Sequence, residues 1–444
     1  MGDNVRALVN RLNQLHEGWK VQCQLIALGQ TAVAPLVEFL LSPPSMFPQP
    51  RCWAAEALGI IGGDQTLEGL CKVLGIHDVT EADPVIRFAE ETVRDCAAEQ
   101  LERLGDRRAI VPLLQALRRH PLPRAAHALA SFDVDAAIPL IVQYLEDDFV
   151  RDRMALALLA FGPKVLNPLI ETLQYRRWLG GEETPASIGR RAAAANVLGQ
   201  LEDIRAVEEL RPLLKEQAPE VRVEAAVALV HLTEKAVFAE AVSELIADLD
   251  VEPPRLKWRA EEGLCNAGPA AVCLMAQALE DTLMDENNGG IGYLSHETLI
   301  RIIRLLGQCQ SPDVISVLHS VAIDSDVELR AEAIRALGQV RDPEGIPMLV
   351  CILQKDENPR MRAVAAEALG MFTCEAVVDP LVRALEDRHP IVRRAAARAL
   401  ATLGSLAKPR LQRAIKQYRW ALSLDRQRLV WEARRLLRRL REAR

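Results

Sequence analysis

One motif returns about every thirty residues along this chain. A chain built that way folds as a stack of like units, each relying on its neighbours to cover its apolar face. The motif is an Ala-rich apolar segment ending in Leu-Gly, a short polar turn, and a second apolar segment opening near a proline. Clear copies end at Gly307, Gly338, Gly370 and Gly404, at spacings of 31, 32 and 34 residues. Looser copies end at Gly29, Gly59, Gly105, Gly162 and Gly199, and degenerate ones lie near Ala130, Leu232 and Gly268, so about a dozen units fill the 444 residues.

Each recurring residue has a physical reason. Glycine just past the Leu can adopt the left-handed conformation that closes a helix, and proline in a first helical turn gives up no needed hydrogen bond. The expectation is that Gly ends one helix and Pro starts the next, at Pro35, Pro112, Pro139, Pro168, Pro212, Pro347 and Pro380. A second turn, as in Asp356-Glu357-Asn358-Pro359 and Asp387-Arg388-His389-Pro390, joins the paired helices. The helix after it is the most regular: Arg362 to Gly370 aligns with Arg51 to Gly59, and Ala365, Ala368 and Leu369 share one face. With 50% hydrophobic but only 4% aromatic residues, the composition favours close-packed helices over sheets. The reading is an all-α fold, an α-solenoid superhelix of helical hairpins.

The turn-plus-helix pattern resembles the HEAT repeat of the phycobilisome-lyase-like type, roughly D-x-x-P-x-V-R-x-x-A-A-x-A-L-G. It matches closely at Asp324 to Gly338, Asp356 to Gly370 and Asp387 to Leu400, and loosely at Pro50 to Gly59 and Pro219 to Leu229. That resemblance implies a solenoid. The family holds chromophore lyase subunits and chaperones, a di-iron hydroxylase and many binding scaffolds, so it implies no single activity.

A basic column occupies one register of the repeats: Arg51, Arg94, Arg191, Arg222, Lys257, Arg330, Arg362 and Arg393. One reading pairs each with a turn aspartate of its own or an adjacent repeat, a ladder that fixes stacking; the other is an anion-binding stripe for a bilin carboxylate or an acidic partner. Helical spacing alone leaves both open. The resemblance to the di-iron hydroxylase implies four His-Glu pairs, but only His16-Glu17 and His296-Glu297 occur, so that ligand set is incomplete. Asp285 to His296 superficially resembles a calcium loop, yet Gly289 and His296 stand where oxygen ligands belong. No phosphate-binding loop, dinucleotide fingerprint or G-x-S-x-G elbow is present. No cofactor, metal or catalytic residue is assigned.

Four segments exceed the ordinary turns: 41–50, 75–84, 175–189 and 281–295. Insertions in solenoids emerge at turns and often carry binding residues. Phe47, Tyr175, Trp178 and Tyr293 in them, with Trp53 and Trp258 near helix starts, are candidate partner anchors; packing back onto their own helices is the competing reading. Residues 1–407 form the expected solenoid and 408–444 a basic capping segment. Lys408 to Arg444 holds 13 Lys/Arg and 3 Asp/Glu, a net +10, leaving −17 on the other 407 residues. Around its Leu stripe stand Arg434, Arg435, Arg438 and Arg439. An acidic body repels phosphate backbones, so nucleic acid is expected nowhere except at this tail.

The start of the chain shows neither a long apolar signal nor a myristoylation signal, no stretch of about 20 apolar residues exists to span a bilayer, and nine cysteines form no C-x-x-C pair. A soluble cytoplasmic protein with reduced thiols is expected. The functional expectation is a non-catalytic scaffold or assembly and maturation factor that binds a protein partner through the solenoid groove and inserted loops. The alternative, implied only by the resemblance, is a bilin lyase-like chromophore chaperone or transferase acting on phycobiliproteins.

Overall fold

In a computed structural model, the structure describes residues 2–14, 16–76, 82–232, 236–287, 294–309, 311–324, 326–419 and 424–442. The chain divides into two compact units, residues 1–233 and 234–444. Among the described residues both are built of helical hairpins taken in chain order.

The first unit holds seven hairpins, from Gly2–Asn10 with Gly18–Leu28 through Gln30–Leu40 with Gln49–Ile61 and Leu166–Leu173 with Pro185–Gln200 to Val207–Leu210 with Pro219–Leu232. The second holds six, from Ala236–Ala247 with Pro254–Asn266 to Lys408–Gln417 with Leu424–Glu442. Within each unit the second helices stack on one another and the first helices form the other layer. The interior is the seam between layers, filled by Ala and Leu: Ala365, Ala368 and Leu369 are all buried, as are Ala395, Ala399 and Leu400 of the next hairpin.

The second helices Pro84–Leu104 and Pro359–Leu369 begin where proline and an Asx side chain coincide. Asn358 accepts a hydrogen bond from the Arg360 amide at 2.9 Å and Pro359 is the first helical residue. First helices in the later hairpins of each unit open with a 3₁₀ turn, capped at Asp106, Asp203, Ser311 and Asp342 by a hydrogen bond from the amide two residues on. The prolines expected to start them stand within two residues of a helix start at Pro112, Pro139, Pro168, Pro347 and Pro380, whereas Pro35 is the sixth residue of its helix.

The expectation that the repeat glycine ends its helix needs correction. Gly29, Gly105, Gly162 and Gly404 do have positive φ. Gly59, Gly199, Gly307 and Gly338 lie inside their helices, and Gly370 follows Leu369 with helical φ −66°. Their role is clearance between stacked second helices. A Cβ on Gly338 would lie 2.8 Å from the Ala368 Cα and 3.1 Å from its carbonyl oxygen, and one on Gly370 would lie 2.7 Å from the Ala399 Cβ. Glycine thus stands against alanine at Gly199, Gly307, Gly338 and Gly370, a spacing only small residues permit, while Gly59 leaves room for the Gln100 side chain.

Two inserted segments also differ from their polar appearance. In 175–189, Trp178–Leu179 pairs antiparallel with Glu182–Glu183 around Gly180-Gly181, both at positive φ, a two-residue β-hairpin. The helix Pro269–Asn287 runs seven residues into the segment 281–295, because Thr282 continues its buried face. Half of the calcium-like stretch, residues 288–293 with Tyr293, lies outside the described residues, as do 77–81 of the second insertion. Among the described residues no helix is long and apolar enough to cross a membrane.

Candidate interaction surface

The turn joining the two helices of a hairpin gathers most of the ordered charge. A helix C-terminus leaves carbonyls without intrahelical donors, and a cation there also meets the negative end of the dipole. The basic column supplies it. Arg51 Nε donates to the Leu40 carbonyl at 2.9 Å, Arg191 Nε to Leu173 at 2.9 Å, and Arg330 Nε to Ala322 at 3.1 Å. Arg222, Arg362 and Arg393 each donate from Nη1 to the carbonyl six residues back, at 2.7, 2.8 and 2.8 Å.

Four of them also reach a carboxylate of the following hairpin. Arg51 pairs with Glu90, Arg191 with Glu216 at 2.7 Å, Arg330 with Asp356, and Arg362 with both oxygens of Asp387 at 2.8 and 3.0 Å. Arg191 is fully enclosed and takes Glu183 of the β-hairpin as well, at 2.9 Å. Lys257 Nζ sits 3.0 Å from Glu252, and Arg94 is fully enclosed within electrostatic reach of Glu91. Burial is the largest single influence on the Asp387 carboxyl and would raise it; the hydrogen bonds from Arg362 and the His389 amide, with the charges of Arg362 and Arg388, together outweigh it and hold the group below its ordinary value.

Sequence reading missed one arginine of the column and half of the acids. Arg151 Nε donates to the Leu145 carbonyl at 2.7 Å, and its signal was the Val150-Arg151 pair, matching Val221-Arg222 and Val392-Arg393. Glu90 stands in a helix and Glu183 in an insertion, while Glu216 holds the turn position itself with a glutamate where the pattern carries aspartate.

The same turns expose large apolar side chains in the first unit. Phe47 precedes the helix Gln49–Ile61, Phe88 is the fifth residue of Pro84–Leu104, Phe149 precedes Arg151–Leu159, and Trp178 with Leu179 precedes Pro185–Gln200. Phe149 is 93% exposed, Phe88 68% and Trp178 59%. Ion pairs run along this edge from hairpin to hairpin: Arg51 to Glu90, His120 to Glu91 at 4.0 Å, Arg190 to Glu146 at 3.1 Å, and Arg191 to Glu216. Phe88 and Phe149 were not singled out from sequence; their mark is an aromatic residue at the turn where most repeats carry a polar one.

The other candidates separate. Trp53 is half-buried, its ring filling the space where Gly18 lacks a side chain. Tyr175 is half-buried under the Arg190 guanidinium, 4.1 Å from the ring centre. Trp258 is 75% exposed on its own helix in the second unit.

The last hairpin carries the remaining candidates. On Leu424–Glu442 the residues Leu429, Val430, Ala433 and Leu436 are buried, and the helix packs on Lys408–Gln417 and on Pro390–Leu403. Arg434, Arg435, Arg438 and Arg439 face solvent. Trp431, which sequence reading passed over, is also exposed, with the Arg435 guanidinium 5.3 Å from its ring centre.

Elsewhere in the second unit a cavity of about 550 Å³ is bordered by Ser243, Asp250, Gln277, Asp281, Ser295 and Thr298. Among the described residues its walls hold two carboxylates and no aromatic or basic side chain. His296 Nε2 lies 2.5 Å from Asp326 and Glu297 accepts from Arg301 at 2.8 Å, so that pair is engaged in ion pairs. Among the described residues no three His, Cys, Asp or Glu side chains are placed to hold a metal ion.

Comparison with known proteins agrees with this architecture. Bilin biosynthesis protein PecE of Mastigocladus laminosus is 39% identical over 75 residues, which are 17% of this chain and 28% of PecE. Deoxyhypusine hydroxylase of Danio rerio is 28% identical over 242 residues, 49% of this chain and 77% of that protein. The chain thus spans less than a third of PecE. Among solved structures, the Kap95:Nup1 complex aligns with a TM-score of 0.56 at 12% identity, covering 99% of this chain and 68% of that one, a likeness of fold. Residues 295–370 and 346–422 match the HEAT repeat family, and residues 50–75, 93–119 and 190–216 match the PBS lyase HEAT-like repeat. With glycine-on-alanine stacking at several second helices and a basic side chain at many of the turns, the chain carries HEAT repeats, some of them of the PBS lyase HEAT-like kind.

Proposed function

We propose that this chain is a non-catalytic scaffold that holds a protein partner, in the assembly or maturation of a complex, along the turn edge and inserted segments of its hairpins. The observation that carries this reading is the row of exposed aromatics at those turns, Phe47, Phe88, Phe149 and Trp178. Aromatic residues are only 4% of the chain, so several of them displayed on one edge stand out from scattered surface apolar residues. Aromatic side chains that bury into partner pockets dominate interface energetics, and a surface held by stacked helices gives up little conformational entropy on binding. The buried arginines of the column are engaged inside the stack, which favours the ladder over an anion stripe at Arg51, Arg191 and Arg362.

The test compares affinity capture by the native chain and by a Phe149→Ser, Trp178→Ser variant, with quantitative mass spectrometry of what each retains. Both residues are exposed, so the variant should keep its helical circular dichroism and melting temperature. A partner recovered by the native chain and lost from the variant is expected. Identical recovery by the two would remove the basis of the proposal.

A second reading, a bilin lyase-like chromophore chaperone or transferase acting on phycobiliproteins, draws on the local likeness to PecE. Against it stands the acidic lining of the 550 Å³ cavity, since the propionates of a bilin call for basic partners. Visible absorbance of the chain purified after co-expression with bilin synthesis would favour this reading over the scaffold.

A further inference from the structure

The C-terminal hairpin carries a site of a different kind from the aromatic turn edge, and it stands or falls independently of that edge. Between Lys408–Gln417 and Leu424–Glu442 a cleft of about 440 Å³ is lined by Gln412, Ile415, Arg434, Leu437 and Arg438. Ile415 and Leu437, both half-buried, supply its apolar lining, and Arg434 and Arg438, both exposed, supply its charge. Beyond the cleft are Arg435 and Arg439, Arg413 and Lys416, all exposed, in a segment with 13 basic and 3 acidic residues.

We propose that this cleft docks an acidic amphipathic segment of a partner protein, which seats an apolar side chain between Ile415 and Leu437 and sets its carboxylates on Arg434 and Arg438. Charge complementarity selects an acidic occupant, and guanidinium forks suit carboxylates in particular.

Three features favour a short acidic protein segment over other anions. An anionic membrane would require the apolar face of the helix to enter the interface, but Leu429, Val430, Ala433 and Leu436 are already buried against neighbouring helices. A nucleic acid backbone brings no apolar group to meet the apolar lining of the cleft. A long polyanion would also run beyond the patch toward a chain whose other residues total −17, whereas a short segment interacts within about one Debye length, about 8–10 Å, of the arginines.

The test is fluorescence anisotropy with the full-length chain. The probe is a labelled helix-forming peptide with Leu on one face and Glu on the rest, set beside its Lys-for-Glu counterpart, a single-stranded RNA of equal negative charge, and phosphatidylserine vesicles. The Glu peptide is expected to bind, to weaken about tenfold or more in an Arg434→Glu, Arg438→Glu variant, and to weaken also in Ile415→Ser, which leaves the charges intact. Both arginines are exposed, so unchanged circular dichroism should accompany the loss. Equal binding of the Glu peptide by native chain and charge variant would overturn the proposal. So would tighter binding of RNA or vesicles than of the peptide, or a dimer in sedimentation velocity that the charge variant abolishes, which would make the occupant a second copy of the chain.

Discussion

Arg362 donates from Nε and Nη2 to the two carboxylate oxygens of Asp387, across the boundary between one hairpin and the next. Its remaining nitrogen, Nη1, donates to the carbonyls of Asp356 and Glu357 at 2.8 and 3.2 Å, in the turn of its own hairpin. One side chain thus closes a helix end and ties two repeats together. Asp387 in turn caps its own turn by accepting from the His389 amide at 2.8 Å. Since the same turn recurs at Asp356 with Arg330, the interaction repeats with the hairpin.

Arg362→Met tests the weight of this tie. Both side chains are nearly enclosed, and removing one member leaves Asp387 with a desolvated charge, so a loss of about 3–5 kcal/mol in urea unfolding is expected. Arg398→Met removes an equally short pair, to Glu367 at 2.6 Å, but on an open surface. That change should cost less than about 1 kcal/mol. Equal effects of the two substitutions would mean that burial does not govern the ladder.

Paired acids at the turns and on the stacked helices also set the response to pH. Burial works against ionisation of Asp326, Glu332 and Asp387, yet their hydrogen bonds hold all three below their ordinary values. A carboxyl with a depressed folded-state pKa adds stability above its unfolded value, about 4, and that stability disappears as pH falls through the folded value. Chemical denaturation should therefore find the chain at full stability near pH 6 and progressively weaker below pH 4. The slope should be shallower in Asp387→Asn, which removes one of the protons taken up on unfolding in acid. A steeper acid slope in that variant would contradict the assignment.

Gly338→Ala separates the two roles a repeat glycine can have. In an open helix the exchange would stabilise by about 1 kcal/mol through helix propensity. Here the new Cβ would fall 2.8 Å from the Ala368 Cα, and backbone cannot rotate away. The expected result is a net loss of about 1–3 kcal/mol, read as a lower urea midpoint with an unchanged slope. A rise in the midpoint would show that the second helices are not in this close register.

How far the sequence carried the fold can be seen from these same residues. Periodicity, the proline at helix starts and the column of arginines were enough to place the hairpins, because each reflects interactions within about fifteen residues. The glycines misled because one residue serves two purposes. Leu-Gly at Gly105 or Gly404 closes a helix, while the same dipeptide at Gly338 makes room for a neighbour, and only the distance to Ala368 tells them apart. Glu90 was invisible because it meets Arg51 39 residues away, outside the repeat's own pattern, whereas Glu216 lies 25 residues from Arg191, the same separation as Arg362 and Asp387, and was missed because glutamate replaces the turn aspartate. Of the candidate surface, Trp178 could be picked out by its place in a polar insertion, but Trp53 looked equivalent until its ring was found against Gly18.

The cysteines offer a probe of the packing that needs no substitution. All nine are free, and alkylation proceeds through the thiolate, so reactivity follows both exposure and thiol acidity. Cys52 is buried, and its hydrogen bond with Cys96 and its burial both push its thiol up. Burial likewise pushes the half-buried Cys71 up to about 11. Cys23 and Cys351 are exposed. In a brief iodoacetamide pulse at pH 8 on the native chain, followed by peptide mass spectrometry, the exposed Cys23 and Cys351 should be modified well before Cys71, which is half-buried and whose thiol is pushed up. Cys52 should stay unmodified until urea opens the stack, and its protection should vanish with the helical circular dichroism. Labelling of Cys52 at the rate of Cys23 under native conditions would show that the helices Gln49–Ile61 and Pro84–Leu104 do not close over it.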